Sequence, residues 1–488
     1  MTKLFTLILV FFFTVSANAT EYYVATDGND THSGTDLNAP FKSISVAADK
    51  AVAGDIIYVR GGTYEYSVSI SLSSSGTADN PIRLEGYQNE RPLIDFSGTA
   101  FGKKGFKLSG SYWHIKGLDI CKAGDNGMYL TGAYNTIEFC SFFENKDTGL
   151  QLAKGAHDNK MINCDSYYNA DPTDYGDADG FAAKLDVGTN NSFYGCRAWF
   201  NVDDGWDGYM RGNDDVNTTL ENCWTWMNGY FKDGTDAGPA ANGNGFKMGG
   251  SDDKTLKHNF TLTNCVAFDN KANGFDQNSN MGSMILYNCS AFNNLKKNYY
   301  ITKELASGKE AIVANSISVQ GSVSLGIFVQ QATNSWQAPF DVTASDFVSL
   351  DTTGVSAPRK ADGSLPDVAF MHLAEGSDLI DAGTDVGLDY LGTAPDLGAF
   401  EFNPRTGISS LTPDKVKVYF DGENMVLVLD QPVSTAVNLK IYNVNGQVVQ
   451  QCAIIDRRSV INTASQNKGL YIVEIVTPTG RLIKKIVK

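Results

Sequence analysis

Two stretches of this chain concentrate carboxylates in a pattern that could do chemistry. Asp177-Ala178-Asp179-Gly180-Phe181 is followed by Asn201-Val202-Asp203-Asp204-Gly205-Trp206-Asp207-Gly208. Asp203, Asp204 and Asp207 share one turn, and Asp179 holds the equivalent place one structural unit earlier. Four carboxylates converging on one surface repel one another unless a cation sits among them. Hard oxygen donors on a semi-flexible turn suit calcium, which accepts about six to eight of them. The nearby histidines and cysteines have no zinc spacing. Asp-Gly runs also occur in ordinary solvent-facing turns, so the cluster alone leaves both readings open.

These residues are positioned by a repeat. Cysteine, an aromatic three positions on and asparagine five positions on recur as Cys140/Phe143/Asn145, Cys164/Tyr167/Asn169, Cys196/Trp199/Asn201, Cys223/Trp226/Asn228, Cys265/Phe268/Asn270 and Cys289/Phe292/Asn294. Successive cysteines stand 24, 32, 27, 42 and 24 residues apart. The short intervals suit a coil of three short strands, and the longer two carry inserted loops. A propeller blade needs four antiparallel strands, and a leucine-rich repeat would show leucines in register. A right-handed parallel β-helix remains. Its aligned asparagines can bond to their own turn and to the next coil, and its aromatics stack, either as structure or as sugar platforms. Eight cysteines in an exported chain invite disulfides, but six in one register read as small buried hydrophobes stacked inside the coil.

Short β runs between Gly, Asn and Asp punctuate the chain from Ile82–Glu85 to Ile285–Tyr287. A helix expected over Ser43–Ala53 would cap the open apolar end of the stack. Gly149-Leu150, Gly180-Phe181, Gly208-Tyr209, Gly245-Phe246 and Gly274-Phe275 mark one strand start in successive coils. Alternation then turns Gln151, Ala182, Met210, Lys247 and Asp276 outward. Lys247 is the basic member of a row that crosses the acidic cluster. A lone exposed lysine is ordinarily only a solvated charge; its neighbours are what single it out.

Lys3 precedes the apolar stretch Leu4 to Phe13, and Ala17-Asn18-Ala19 offers a small-residue cleavage site, so residues 1–19 read as a secretory signal peptide. No later stretch is long and apolar enough for a membrane span. The expectation is an exported, monomeric protein, secreted, at the cell surface or periplasmic. With 42% hydrophobic residues the chain is globular, and 55 acids against 39 bases give a formal charge of −16. That balance argues against nucleic acid as a partner, and an acidic ligand needs a locally bound cation. Residues 20–402 form the expected β-helix domain, closed by Leu379–Gly383 and Pro395–Glu401. Residues 403–412 read as a linker, and 413–488 as a small antiparallel β-sandwich built on Asp-Gly, Asn-Gly and Thr-Gly turns.

Tyr22-Tyr23-Val24-Ala25-Thr26-Asp27-Gly28-Asn29-Asp30, the Asp179 and Asp203-Asp204-x-x-Asp207 set, and Asn244-Gly245-Phe246-Lys247-Met248-Gly249-Gly250 resemble polysaccharide lyase family 9 over residues 22–402. Ile441-Tyr442-Asn443-Val444-Asn445-Gly446 and Lys468-Gly469-Leu470-Tyr471 resemble the C-terminal sorting modules of Bacteroidota secretion substrates, with a carbohydrate-binding or spacer module as the alternative. The family resemblance implies calcium-assisted β-elimination on a pectic plant cell-wall polysaccharide, either homogalacturonan or the rhamnogalacturonan I backbone. It implies calcium on Asp179, Asp203, Asp204 and Asp207, and Lys247 as the base that removes the C5 proton. Arg211, Lys184 and Lys232 are weaker candidates for holding other uronate carboxylates. Two rivals stand beside it: a β-helix glycoside hydrolase using the paired aspartates, and a non-enzymatic carbohydrate-binding surface protein.

Overall fold

A computed structural model describes residues 19–403 except 89 and 174, and residues 416–488 except 430–436, 445, 455–457, 465 and 478–479. The signal segment expected over 1–19 and the linker expected over 403–412 lie almost wholly outside the described residues. The chain divides into two compact units at Glu401/Phe402.

The first unit is a right-handed parallel β-helix of three sheets. Sheet one has twelve described strands, from Glu21–Val24 to Gln330–Ala332; sheet two has ten, from Thr63–Glu65 to Ile317–Val319; sheet three has ten, from Ile70–Leu72 to Val323–Leu325. Every pairing within these sheets is parallel and joins consecutive coils, as in Thr136–Glu138 on Lys160–Ile162. Most strands are three to five residues long because each coil must turn three corners. The β runs read from the sequence, Ile82 to Tyr287, are the strands of sheet one.

Side-chain ladders hold the coils in register. Asn145 Nδ2 donates to Asn169 Oδ1, Asn169 to Asn201, Asn201 to Asn228, Asn228 to Asn270, Asn270 to Asn294 and Asn294 to Asn298, each at 2.9–3.0 Å. All are buried, so each link satisfies a donor and an acceptor that would otherwise cost free energy. The six cysteines line the interior as free thiols, each Sγ within reach of a backbone carbonyl of the preceding coil, as in Cys164 to Ile137 O at 3.4 Å. The aromatics of the repeat stack along the outside of sheet two: Phe143, Tyr167, Trp199, Trp226 and Phe268 have centroids 4.4–5.4 Å apart and planes within 13° of parallel. Trp199 and Trp226 are 6% and 4% exposed, which leaves no free ring face there for a sugar.

That face is covered by the segment from 341 to 401. Phe370 packs on Phe268, Gly398 N–H donates to Asn315 O, and the buried Arg197 donates to Asp165 and to the carbonyls of Val355 and Ala357. Arg359 approaches Asp165 from the other side at 2.6 Å. At the opposite end the helix spans Ile44–Lys50, shorter than expected, and buries Ile44, Ala47 and Ala48 in the same apolar core as the first coils. The second unit has two antiparallel sheets, one of three strands beginning at Val416–Asp421 and one of four ending at Gly480–Val487.

Candidate active site

The site is built on the outer face of sheet three and the turn that leads into it. Strands Leu150–Leu152, Phe181–Ala183, Trp206–Asp207, Phe246–Lys247 and Asn273–Asp276 lie side by side. Phe181, Trp206, Phe246 and Phe275 point inward and stack at 4.9–5.1 Å. The outward row is therefore Gln151, Ala182, Asp207, Lys247 and Asp276. Met210 is not in it: Gly205-Trp206, rather than Gly208-Tyr209, is the strand start, because the Trp206 indole fills the interior stack. Met210 is buried and bridges Leu185 and Ser251 instead. The corrected register sets Asp207 directly beside Lys247.

Asp179 and Asp204 occupy equivalent turn positions, immediately before Gly180 and Gly205. The Asp204 amide donates to Asp179 Oδ1 at 3.2 Å. Asn244, one coil on, donates to Asp204 Oδ1 through its backbone at 2.7 Å and its side chain at 2.9 Å. The Asn242 amide donates to Asp203 Oδ1 at 2.7 Å, and Thr148 Oγ1 to Asp179 Oδ2 at 3.1 Å. One oxygen each from Asp179, Asp203 and Asp204 lies within 4.8 Å of the others. Nothing in the residue types distinguished Thr148 or Asn242 beforehand, and Asn244 stood out only as the first residue of the motif around Lys247; their roles come from coil-to-coil alignment.

Two ammonium groups enter the cluster. Lys184 Nζ is 2.6 Å from Asp179 Oδ2 and 3.5 Å from Asp207 Oδ2. Lys247 Nζ is 3.0 Å from Asp204 Oδ2 and 3.4 Å from Asp207 Oδ1. All six residues are buried, none more than 8% exposed. Burial and like charge drive three of the acids up, Asp179 to about 8, Asp203 well above its ordinary value and Asp204 above its own. Asp207 moves the other way, because Lys247 and Lys184 outweigh its burial. Burial works to lower Lys247, but the carboxylates of Asp204, Asp207, Asp203 and Asp179 outweigh it and hold the ammonium well above its usual value. Asp276, next in the row, is pushed by burial to about 6.

Four carboxylates against two ammoniums leave a formal −2, the charge one divalent cation would neutralise. Asp204 Oδ2 is buried and accepts no hydrogen bond, its contact with Lys247 being an ion pair without hydrogen-bond geometry. An oxygen-only donor set with an orphaned carboxylate oxygen fits calcium or another hard cation. Behind the site, His258 supports the turn after Asp207: its Nδ1 meets Gly208 O at 2.9 Å and its Nε2 meets Thr218 Oγ1 at 2.8 Å. Burial lowers its pKa to about 4, so it is a neutral strut.

A cleft of about 340 Å³ opens over this face, lined in part by Gln151, Lys184, Tyr209, Arg211 and Lys247. Tyr209 donates its hydroxyl to Asp252 Oδ1 at 2.6 Å, and its ring centroid lies 5.8 Å from Lys247 Nζ. Arg211 is largely exposed at the rim, 3.4 Å from Asp252. Lys184 is an internal counter-ion of the cluster. Lys232 does not line the cleft; it pairs with Glu144 at 2.5 Å in a separate groove.

Residues 22–315 match the family described as Pel9A-like, right handed beta helix region, and residues 414–488 match the secretion system C-terminal sorting domain. A protein named pectate lyase L from Dickeya chrysanthemi is 38% identical over 396 residues, covering 78% of this chain and 90% of the relative. Pectate lyase PEL9 of Emericella nidulans is 34% identical over 393 residues, covering 74% and 94%. Among solved structures, pectate lyase Pel9A superposes with a TM-score of 0.73 at 37% identity, covering 80% of this chain and 98% of that one. A rhamnogalacturonan lyase superposes with a TM-score of 0.65 at 25% identity, covering 73% and 97%.

Proposed function

The chain belongs to the Pel9A-like right-handed β-helix family and is a polysaccharide lyase, and from that premise we propose that it cleaves pectic chains at galacturonate by calcium-assisted β-elimination, with Lys247 as the base. The observation that carries this reading is the placement of Lys247 in register beside Asp207, in ion-pair contact with Asp204, at the floor of an open cleft. Asp179, Asp203, Asp204 and Asp207 would hold the metal. Calcium there would supply charge to bind the galacturonate carboxylate and acidify C5, and would relieve the carboxylate pull that keeps Lys247 protonated.

Lys247 in its neutral form takes the C5 proton. The C5–H electron pair becomes the C4–C5 double bond, and the C4–O bond breaks with its pair going to the glycosidic oxygen, which takes a proton from solvent, leaving a hydroxyl end on one fragment and a 4,5-unsaturated uronate on the other. Because the surrounding carboxylates favour the ammonium, activity should rise toward alkaline pH. Arg211 at the rim would meet a further uronate carboxylate, and the Tyr209 ring lies beside Lys247.

The hydrolase alternative, in which two of the aspartates act as acid and base, leaves Lys247 idle. The sorting domain supports export, with the cell surface or the medium as destination.

The test is incubation with polygalacturonate and with rhamnogalacturonan I, with calcium and with chelator, following ultraviolet absorbance of the unsaturated product. Absorbance that appears with calcium and vanishes with chelator is expected, and the faster substrate identifies the backbone. Reducing ends released without absorbance would replace the lyase assignment by hydrolysis.

A further inference from the structure

A second opening, a groove of about 580 Å³, lies off the turn between sheets two and three. Its apolar lining includes Tyr168, Phe200 and Phe231, all half-buried, so each ring is partly open to the groove. Tyr168 and Phe200 hold equivalent turn positions in adjacent coils, with φ of 58° and 51° and centroids 5.9 Å apart. Glu144, Lys232 and Asp233 form the polar part of the lining. Lys232 Nζ is committed, paired with Glu144 and 4.8 Å from the centroid of Tyr168.

Two features connect this groove to the cleft. The loop following Ala170 separates them, presenting Tyr175 to Phe231 at 5.1 Å on one side and Gly176 and Asp177 to the cleft on the other. The insertion that supplies Phe231 also supplies Asn242, whose amide holds Asp203. Its Ala237 and Ala241 pack with Ala178 and Val202, which flank the acidic turns.

We propose that this groove is a second carbohydrate subsite, which takes a neutral pyranose of the pectic substrate against Tyr168, Phe200 and Phe231. An apolar floor of aromatic faces suits the C–H face of a pyranose, and the Glu144–Lys232 pair offers an acceptor and donors to ring hydroxyls. Charge selects the ligand: Glu144 and Asp233 against Lys232 leave a net −1 with no free cation, which disfavours a uronate and admits a neutral sugar such as rhamnose or galactose. The identification of the sugar's source rests on the pectic reading above.

The full-length protein, its Phe200→Ala variant and its Phe231→Ser variant are each mixed with methyl α-L-rhamnopyranoside, methyl β-D-galactopyranoside or galacturonate, and saturation-transfer NMR is recorded. At least one neutral glycoside should give transfer in the parent, reduced about fivefold or more in both variants, with Phe200→Tyr retaining it. Phe231 sits on the inserted loop, so its variant gives the answer if Phe200→Ala does not fold. No transfer from either neutral glycoside, equal transfer in parent and variants, or a preference for galacturonate abolished by Phe200→Ala would overturn the proposal. So would a dimer in sedimentation that Phe200→Ala dissociates, since a second copy would then occupy the groove. Unsaturated product from polygalacturonate is followed in the same parent preparation; its absence would count against the lyase substrate while leaving the neutral-sugar result to stand or fall alone.

Discussion

Replacing Lys184 with methionine tests the electrostatics of the cluster without touching Lys247. The side chain keeps its length and apolar stem but loses an ammonium 2.6 Å from Asp179 and 3.5 Å from Asp207. At an effective dielectric near 20, each such attraction is about 5–6 kcal/mol before desolvation is subtracted. Removing one partner from a buried pair costs about 3–5 kcal/mol net, because the remaining charge is stranded. The formal charge of the site falls from −2 to −3, so the metal-free protein should melt lower than the parent, on the order of 4–6 °C. Calcium should offset part of this. A ligand at a hundredfold excess over its dissociation constant stabilises by about 2.7 kcal/mol, and a more negative site should gain at least as much. The assay is thermal melting of parent and variant in chelator and in calcium. A wide gap in chelator that narrows in calcium is expected. Equal melting in chelator would refute the counter-ion role, and a raised KM with unchanged stability would return Lys184 to the role of gripping a substrate carboxylate.

Three further outcomes follow from the same geometry. Lys247→Ala should lower kcat by orders of magnitude while leaving calcium-induced stabilisation intact, and Lys247→Arg should rescue poorly because its pKa lies above about 12; a turnover number within roughly threefold of the parent at alkaline pH would remove Lys247 from the mechanism. Asp165→Asn should destabilise the β-helix by about 3 kcal/mol, because it strands the buried Arg197 and Arg359. The two guanidiniums hold Asp165 below its ordinary value despite its burial, so this stability is present above pH 4 or so and is lost as pH falls through the depressed folded value; a parent and variant that converge in acid while differing at neutral pH would bear this out. Thiol titration of the unfolded, unreduced protein should find the cysteines free, and near-complete oxidation would contradict the interior ladder.

Much of this architecture was legible because the β-helix writes itself into the sequence once per coil. The Cys/aromatic/Asn register located sheet two and its turn, since a residue that must meet its own equivalent every coil is repeated by type. The acidic turns were legible for the same reason in reverse, as departures from the repeat. The strand start at Trp206 was not. Gly205-Trp206 and Gly208-Tyr209 both fit a Gly-aromatic pattern, and only interior volume, filled by stacking on Phe181 and Phe246, decides between them. Lys184 likewise read only as a weaker candidate for holding a uronate carboxylate, because its burial depends on Asp179 and Asp207 arriving from two different coils. Lys232, a weaker candidate for holding a uronate carboxylate, lies outside the cleft for a similar reason: its partner Glu144 is 88 residues away in sequence.

The asparagine ladder has a polarity. From Asn145 to Asn270, each side-chain amide donates to the Oδ1 of the asparagine one coil nearer the C-terminus, and the run ends where Asn294 donates to Asn298 four residues on. Each link takes the same two atoms whether the intervening loop is short or carries the long insertion after Asn228. The cylinder is therefore indifferent to what is hung on its turns. Excision of one complete coil, from one asparagine to the next, would rejoin a donor to an acceptor of identical kind, whereas excision of any fraction would not. Length is quantised in this molecule, while the loops that shape its cleft and groove are free to vary continuously.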